Sequence, residues 1–421
     1  MDVTTENNNN HIFGSFSVRE NWPELCIIFF VVLYPFGEIM HVALLPFLYF
    51  LLRHGVERDV WMKPYFSIAS LFLIPLLLSS ITALVLKRHI EIILQWACYI
   101  ALGAALIAIL RRRINEDLLI YCVAALVLFA TLDGLVQFLF GVNFFGNPLI
   151  AGRVSGVFYP HLKLSVDLAH LSPFVFEALR RYARSEGIRQ FAWLLIVPLA
   201  LVIFLGGNRS GWLTFFVISV LYTVFLLYRR EFPVKVFLIG LMAAIVSVYV
   251  SIKVSPGIEE RVNRTMLVFS GDSNALNRAS SHRMAVFDAA KTVIAEYPWL
   301  GVGESGFDEA VVPLGIDPKE VRGDDRRLRH AHFNLLDVPL QTGIVGLIAY
   351  LLAFLWLLVR VWQAARHPNA MSFAMAAGVA VAMMPINMHY SFYDVRHASL
   401  SLVFLMLSFV YLPAAGAKSK N

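Results

Sequence analysis

Residues 330–332 read His-Ala-His, at the end of a polar block that spans 254–331 and just before the chain turns apolar again. Histidine has an ordinary pKa near 6.5, so it can take up and release a proton at neutral pH. A positioned base of this kind contributes ~10²–10⁴-fold to a reaction rate. The block and the short loops around it also carry Arg153, Arg209, Arg283 and Arg396. A guanidinium stays charged when partly desolvated, and its planar fork meets phosphate or carboxylate oxygens two at a time. Together these residue types suit a reaction in which a proton is removed while an anion is held.

The frame that carries them belongs to a membrane. The chain has 421 residues, and only 15% are charged, while 58% are hydrophobic. A soluble domain carries about a quarter charged residues. A helix crosses the ~30 Å hydrocarbon core with roughly 20 apolar residues, and runs near that length recur along almost the whole sequence. The expected fold is therefore an all-α polytopic membrane protein with about twelve transmembrane helices. They lie near 23–36, 39–53, 64–85, 89–110, 117–140, 162–179, 191–206, 212–228, 235–253, 343–362, 371–388 and 397–413. About nine spans would fill 1–253, one large loop containing helices would fill 254–331, and about three spans would fill 332–421. No interleaved basic and aromatic patch points to nucleic acid. Cys26, Cys98 and Cys122 all lie in apolar runs and match no zinc or redox spacing, so they are expected to be small buried hydrophobes. Residues 1–21 are polar and lack the basic start and cleavage site of a signal peptide, so the first span is expected to remain.

Loop charges set the orientation. Basic residues cluster in alternate loops: Arg53, Arg58 and Lys63; Arg111 to Arg113; Arg180, Arg181, Arg184 and Arg189; Arg229, Arg230 and Lys235; Arg360 and Arg366; Lys418 and Lys420. The positive-inside rule puts these loops and both termini in the cytoplasm. The 254–331 loop then lies outside, in the periplasm if the membrane is a bacterial inner membrane. Arg153, Arg209 and Arg396 fall on the outer side, where topology does not ask for basic residues. Each is either an arginine snorkelling to the interface or a group facing the same cavity as the large loop.

Within that loop, Ser281 to Tyr297 reads as an amphipathic helix with Met284, Phe287, Ala290 and Ile294 on one face. Ser280-Ser281 is its expected cap. A glycine-rich turn follows at 301–306. It could cradle phosphate through its N–H groups or serve as a sharp turn beneath the helix. Asp133, Asp167 and His170 are ionisable residues inside apolar spans, a placement that often marks function. Asp167 and His170 are three apart and would share a helix face, where they would satisfy one another or meet substrate.

Four motifs fall in an order and spacing similar to those of the O-antigen ligase and polymerase superfamily of bacterial envelope glycosyltransferases. They are Arg153-Val154-Ser155-Gly156-Val157-Phe158-Tyr159-Pro160; Asn208-Arg209-Ser210-Gly211; Arg283 with Tyr297-Pro298-Trp299-Leu300-Gly301-Val302-Gly303 and Phe307; and His332 with Leu336, Gly343 and Gly346. The resemblance covers roughly 130–350. Two positions depart from the family pattern: Phe333 follows His332, with asparagine one place later at Asn334, and Asn208 stands where serine is usual.

The resemblance implies transfer of a glycan from an undecaprenyl-diphosphate donor to an acceptor hydroxyl. It implies His332 as general base and Arg209 and Arg283 as the cations on the leaving diphosphate. Arg153, His330, Arg396, Asn208 and Ser210 would contribute to substrate binding. The residues admit plainer roles too: a histidine capping a helix or bridging to a loop carbonyl, and arginines paired with loop carboxylates. No cofactor and no metal is expected. Asp324-Asp325 is flanked by Arg322, Arg326 and Arg327, cations that would compete with a metal ion. Within the superfamily the His-x-His, Asp337 and Thr342-Gly343 stretch resembles a ligase, whose acceptor is lipid A-core in lipopolysaccharide synthesis, with inversion at the anomeric carbon. A polymerase or a protein O-oligosaccharyltransferase would use the same donor. A lipid-linked glycan transporter or flippase is the alternative of a different class. It would have no need of a long outer segment bearing Arg and His.

Overall fold

A computed structural model describes residues 17–55, 59–184, 187–267, 283–322, 327–387 and 391–411. Among these residues the chain is helical, with only isolated β-bridges at 142–153. The helices are α1 (Trp22–Leu33), α2 (Leu45–His54), α3 (Met62–Ser79), α4 (Leu86–Arg112), α5 (Glu116–Phe140), α6 (Leu164–Tyr182), α7 (Ile196–Leu205), α8 (Arg209–Tyr228), α9 (Val234–Val254) and α10 (Pro256–Met266). They continue with α11 (Met284–Glu296), α12 (Phe307–Val311), α13 (Pro318–Arg322), α14 (Asn334–Ala365), α15 (Ala370–Ala382) and α16 (Val395–Val410).

Among the described residues, 7 helices are long and apolar enough to cross a membrane: α3, α4, α5, the Ile188–Leu205 segment ending in α7, α8, α9 and α14. Three shorter apolar helices cover Trp22–Phe36, Ala370–Ala382 and Ala398–Val410. The other two expected spans take a different form. The 39–53 run divides into a 3-10 stretch over Glu38–Leu44 and α2. The 162–179 run becomes α6, whose side chains include Asp167, His170, Glu177 and Arg180.

α6 is the centre of the bundle. Every residue from Leu164 to Arg180 is buried, which marks a helix enclosed by protein on all sides. It packs on α5, α8 and α15. Its charged end is neutralised by a network. Glu177 accepts from Arg180 Nε and Nη2, both at 2.8 Å, and from Arg181 Nε at 2.9 Å. Arg181 also bonds Asp117 and Glu116, and Arg180 bonds Glu231. Buried carboxylates persist only with such partners. α5 beside it starts at Asn115, whose side chain accepts the Leu118 N–H at 3.1 Å. It ends at Gly141 in the left-handed conformation that closes many helices.

The loops that the charge pattern assigned to opposite sides gather at opposite ends of the bundle. At one end Arg111 reaches Asp59 and the carbonyls of Phe409 and Val410, Arg229 reaches the Pro368 carbonyl, and Asn369 reaches Glu116. At the other end the Leu84 N–H donates to Val302, the Asn334 N–H to Asn387, and Phe392 to Asp337. The described residues of 283–331 pack at this second end. Its helices α11 and α12 enclose a small core of Val286, Ala290, Val293, Val302, Phe307 and Val311, into which Leu340 of α14 inserts.

Two local expectations change. α11 starts at Met284 with Arg283 as its N-cap residue, and it buries Val286, Ala289, Ala290 and Val293. Phe287 and Ile294, assigned to the inner face, are only partly buried there. Both stripes have helical spacing, and packing against α12 and α14 selects the second. The proposed cap Ser280-Ser281 lies outside the described residues. The cysteines are not core residues: Cys98 is exposed, and Cys26 and Cys122 are half-buried. In a membrane bundle the outer face is apolar as well, so an apolar run does not imply burial within protein.

Candidate active site

The site is built on a break in α14. At Gly343 the backbone takes φ 64 and ψ −166, outside the helical region, although the helix runs on to Ala365. A straight helix would bond the N–H of residues 344 and 345 to the carbonyls of 340 and 341. Here those two N–H groups donate instead to Pro298 and Trp299, at 2.8 and 3.4 Å. The carbonyls of Leu340 and Gln341 accept from Val302 and Gly303, both at 3.0 Å. The glycine-rich turn is thus inserted into the helix backbone, and four exchanged bonds replace the two that the break removes.

The glycines are explained by this insertion. A Cβ on Gly343 would stand 2.0 Å from the Trp299 carbonyl oxygen, and one on Gly301 would stand 2.6 Å from that of Leu340. The N–H groups of Val302, Gly303 and Glu304 are taken up by Leu340, Gln341 and His89 Nδ1. The turn is accordingly a packing device and not a phosphate cradle. Gly343→Ala should destabilise the chain by about 3 kcal/mol or more, from strain and clash together. A melting curve of the detergent-solubilised protein checks this, and an unchanged transition would contradict the account of the break.

The first half of α14 positions the histidine pair through Asp337. This carboxylate is fully buried. Its Oδ1 accepts the Ala331 N–H at 2.9 Å, and its Oδ2 accepts from Gln341, Ser391 and the Phe392 N–H. The residue between the two histidines is therefore clamped to the helix. His332 adopts φ 56, a left-handed conformation that few residues besides Gly, Asn, Asp and His occupy. The turn brings His330 Nε2 within 3.0 Å of His332 Nδ1. The helix N-cap is Phe333, without a side-chain cap bond, so His332 does not cap it. Asn334 is buried, and its side chain bonds Tyr350 and the Met384 carbonyl.

Glu304 completes this side. Its Oε2 accepts from Ser305 at 2.5 Å. Burial is the main cause that pushes its pKa up from 4.5 to about 7, with Asp394 and Asp337 adding to the rise and Ser305 and Arg88 opposing it. The folded chain holds a proton here that the unfolded chain releases. Stability from this group therefore falls as pH rises from 4.5 to about 7, and the loss is complete above that window. The cost is at most about 3 kcal/mol. Glu304→Gln should remove it: the variant's gain in melting temperature over the parent should be small near pH 5 and grow by about pH 8. An offset independent of pH would contradict this.

The arginines meet around the turn before α8. Arg153 donates from Nε and Nη2 to the Gly206 carbonyl at 2.9 and 2.7 Å. Asn208 caps α8, accepting from the Ser210 N–H at 3.3 Å and its hydroxyl at 2.9 Å. Arg209 follows as the first residue of α8. Around this turn stand Arg261 and Arg264 of α10 and Arg283 at the start of α11. Burial lowers the pKa of Arg283, and the charges of Arg209 and Arg261 lower it further. Arg261 is lowered by burial and then by Arg209 and Arg264, and Arg153 falls to about 10 by burial and the charge of Arg261. Guanidinia that depress one another in a half-buried setting form a place where an anion is strongly favoured. The cluster also connects to the histidines. Phe287, one turn after Arg283, lies against Phe333, with ring centroids 5.9 Å apart.

The structure thus brings Arg153, Arg209 and Arg283 together and joins His330 to His332. Arg396 falls in the first turn of α16, and its side chain lies outside the described residues, as do His282 and Asp324-Asp325. The ionisable residues within the spans have other partners. Asp133 accepts from Asn143 and the Phe144 N–H, tying down the loop that carries Arg153. His170 bonds the Val166 carbonyl instead of Asp167. Sequence reading missed Arg261, Arg264 and Glu304. The signal for the first two was a Pro-Gly helix start directly after a span, with arginines three apart on one face.

Residues 194–351 match the family model described as O-antigen ligase. No curated protein matches the chain. The matched stretch runs from α7 through the break in α14, and it contains Arg209, Arg261, Arg283, Glu304, His330 and His332. This stretch supports membership of the O-antigen ligase and polymerase superfamily.

Proposed function

We propose that the protein is an O-antigen ligase of the bacterial inner membrane. It would transfer a glycan from undecaprenyl diphosphate to a sugar hydroxyl of lipid A-core, at the periplasmic end of the bundle. The observation that carries this reading is the half-buried arginine cluster linked through Phe287 and Phe333 to the His330–His332 pair. In the reaction His332 takes the proton of the acceptor hydroxyl. The oxygen bonds to the anomeric carbon, and the bond from that carbon to the diphosphate oxygen breaks. Arg209 and Arg283 hold the negative charge that collects on the leaving diphosphate. A single direct displacement inverts the anomeric centre. Fixed guanidinia fill the electrophilic role that a metal ion plays in other lipid-dependent transferases.

His330 bonds His332 Nδ1 and fixes the ring, which directs Nε2 to the acceptor. An apolar groove of about 430 Å³ opens between α1, α5 and α6, lined by Val32, Phe36, Phe129 and Phe145, with Tyr159 of the Arg153 loop at its edge. It offers a lateral path for the isoprenoid chain. Both termini and the basic loops would face the cytoplasm.

Asp337 and Thr342-Gly343 shape the histidine turn and the helix break, roles that ligase and polymerase would share. The choice of acceptor therefore needs experiment. Purified chain given the carrier-linked glycan should join it to lipid A-core. Chain extension between two carrier-linked glycans, with no lipid A-core product, would make it a polymerase. Transfer only to a protein hydroxyl would make it an oligosaccharyltransferase.

A further inference from the structure

We propose that Arg261, on α10, is a direct ligand of the donor's diphosphate, and that Arg153 is a positioning residue that holds the turn beneath it. This inference rests on the diphosphate reading above.

α10 follows α9 after a single residue and is drawn onto the Arg153 loop by a close backbone approach. A Cβ on Gly257 would stand 3.4 Å from the Ala151 carbonyl oxygen and 3.7 Å from the Gly152 Cα. That contact, at van der Waals distance, sets the start of the helix against the loop. Arg261 then lies over Gly207, with Cδ and Nε 3.2 and 3.3 Å from where a Cβ on that glycine would be. Arg153 Nε lies 2.8 Å from the same point. The two arginines thus share one glycine, and their donors are used differently. Arg153 commits Nε and Nη2 to the Gly206 carbonyl, which fixes the path of the chain into Asn208 and Arg209. Arg264 pairs with Glu260. Among the described residues the guanidinium of Arg261 has neither a hydrogen bond nor an ion pair; the charge of Glu260 favours its cation, and those of Arg209, Arg264 and Arg283 oppose it.

A half-buried guanidinium among like charges is costly unless an anion joins it. A diphosphate has two phosphoryl groups, each with oxygens that a planar fork can meet. Arg209 from α8, Arg283 from α11 and Arg261 from α10 come from three separate elements, so they can surround both groups.

The test uses the full chain in nanodiscs of neutral lipid, with farnesyl diphosphate as probe and farnesol as its uncharged control. Arg261→Gln should weaken farnesyl diphosphate binding by about 10- to 100-fold, the range for a charge-assisted hydrogen bond, and leave farnesol binding unchanged. Arg261→Lys, which keeps the charge but loses the fork, should fall between variant and parent. Arg153→Lys, which keeps the charge and a donor for the Gly206 carbonyl, should weaken probe binding less than Arg261→Lys does. Parent-like probe binding by folded Arg261→Gln and Arg261→Lys would overturn the ligand assignment. Binding weakened by folded Arg153→Lys as much as by Arg261→Lys would overturn the positioning role of Arg153. A parent chain that fails to bind the probe would overturn the diphosphate reading itself, and with it the ligand.

Discussion

Replacing His332 by alanine is expected to lower glycan transfer by about 10²–10⁴-fold, the contribution of a positioned general base. The fold should survive the change. His332 does not cap α14, and Asp337 grips the segment through the backbone of Ala331, not through the imidazole. Alanine also keeps the left-handed backbone accessible at a cost of about 1–3 kcal/mol, which His332 already bears in part. The variant should therefore elute and melt close to the parent while transferring almost nothing. His330→Ala should cost less, because in the proposed reaction His330 orients the ring and His332 takes the proton. If His330→Ala were the more damaging of the two, the base assignment would pass to His330.

The second large effect is expected at the arginines. Arg209→Gln and Arg283→Gln should each lower the rate by roughly 10²–10³-fold, as for loss of one preorganised donor at a developing anion. In the proposed reaction the two act on one leaving group, so their effects should not add independently. Arg283→Lys keeps the charge but loses the fork, and it should remain clearly impaired. Near-normal transfer in Arg283→Lys would instead favour a surface salt bridge for this residue. The loss should appear in the chemical step, since charge builds on the diphosphate as its bond to the sugar breaks.

The chain's frame could be read largely without a structure because hydropathy and loop charge are local signals. The basic loops predicted for one side do meet at one end, as the contacts of Arg111, Arg181 and Arg229 illustrate. The central place of α6 was harder to see. Its Asp167, Glu177 and Arg180 look like interruptions of a span until α5, α7, α8 and α15 are seen to pack around it. The motif residues were legible as a set, but their separate tasks were not. The glycines at 301, 303 and 343 needed the exchange of hydrogen bonds between two segments some forty residues apart. Asp337 looked like one more acid until its four donors were known. Arg261 escaped notice because its signal, a helix start at Pro256-Gly257 with arginines at 261 and 264, is local and does not say what the helix packs against. The approach of Gly257 to Gly152 and of Arg261 to Gly207 brings it to the cluster. Long-range backbone contacts of this kind leave no trace in composition or spacing.

The most direct test follows both products of one turnover. Purified chain in nanodiscs would receive undecaprenyl-diphosphate-linked glycan and lipid A-core in the presence of EDTA, and mass spectrometry would quantify glycosylated lipid A-core and released undecaprenyl diphosphate. The account predicts equal amounts of the two, formed without added metal and lost in His332→Ala. Carrier-linked glycan that crosses the bilayer with its diphosphate bond intact, or full turnover by folded His332→Ala, would contradict it.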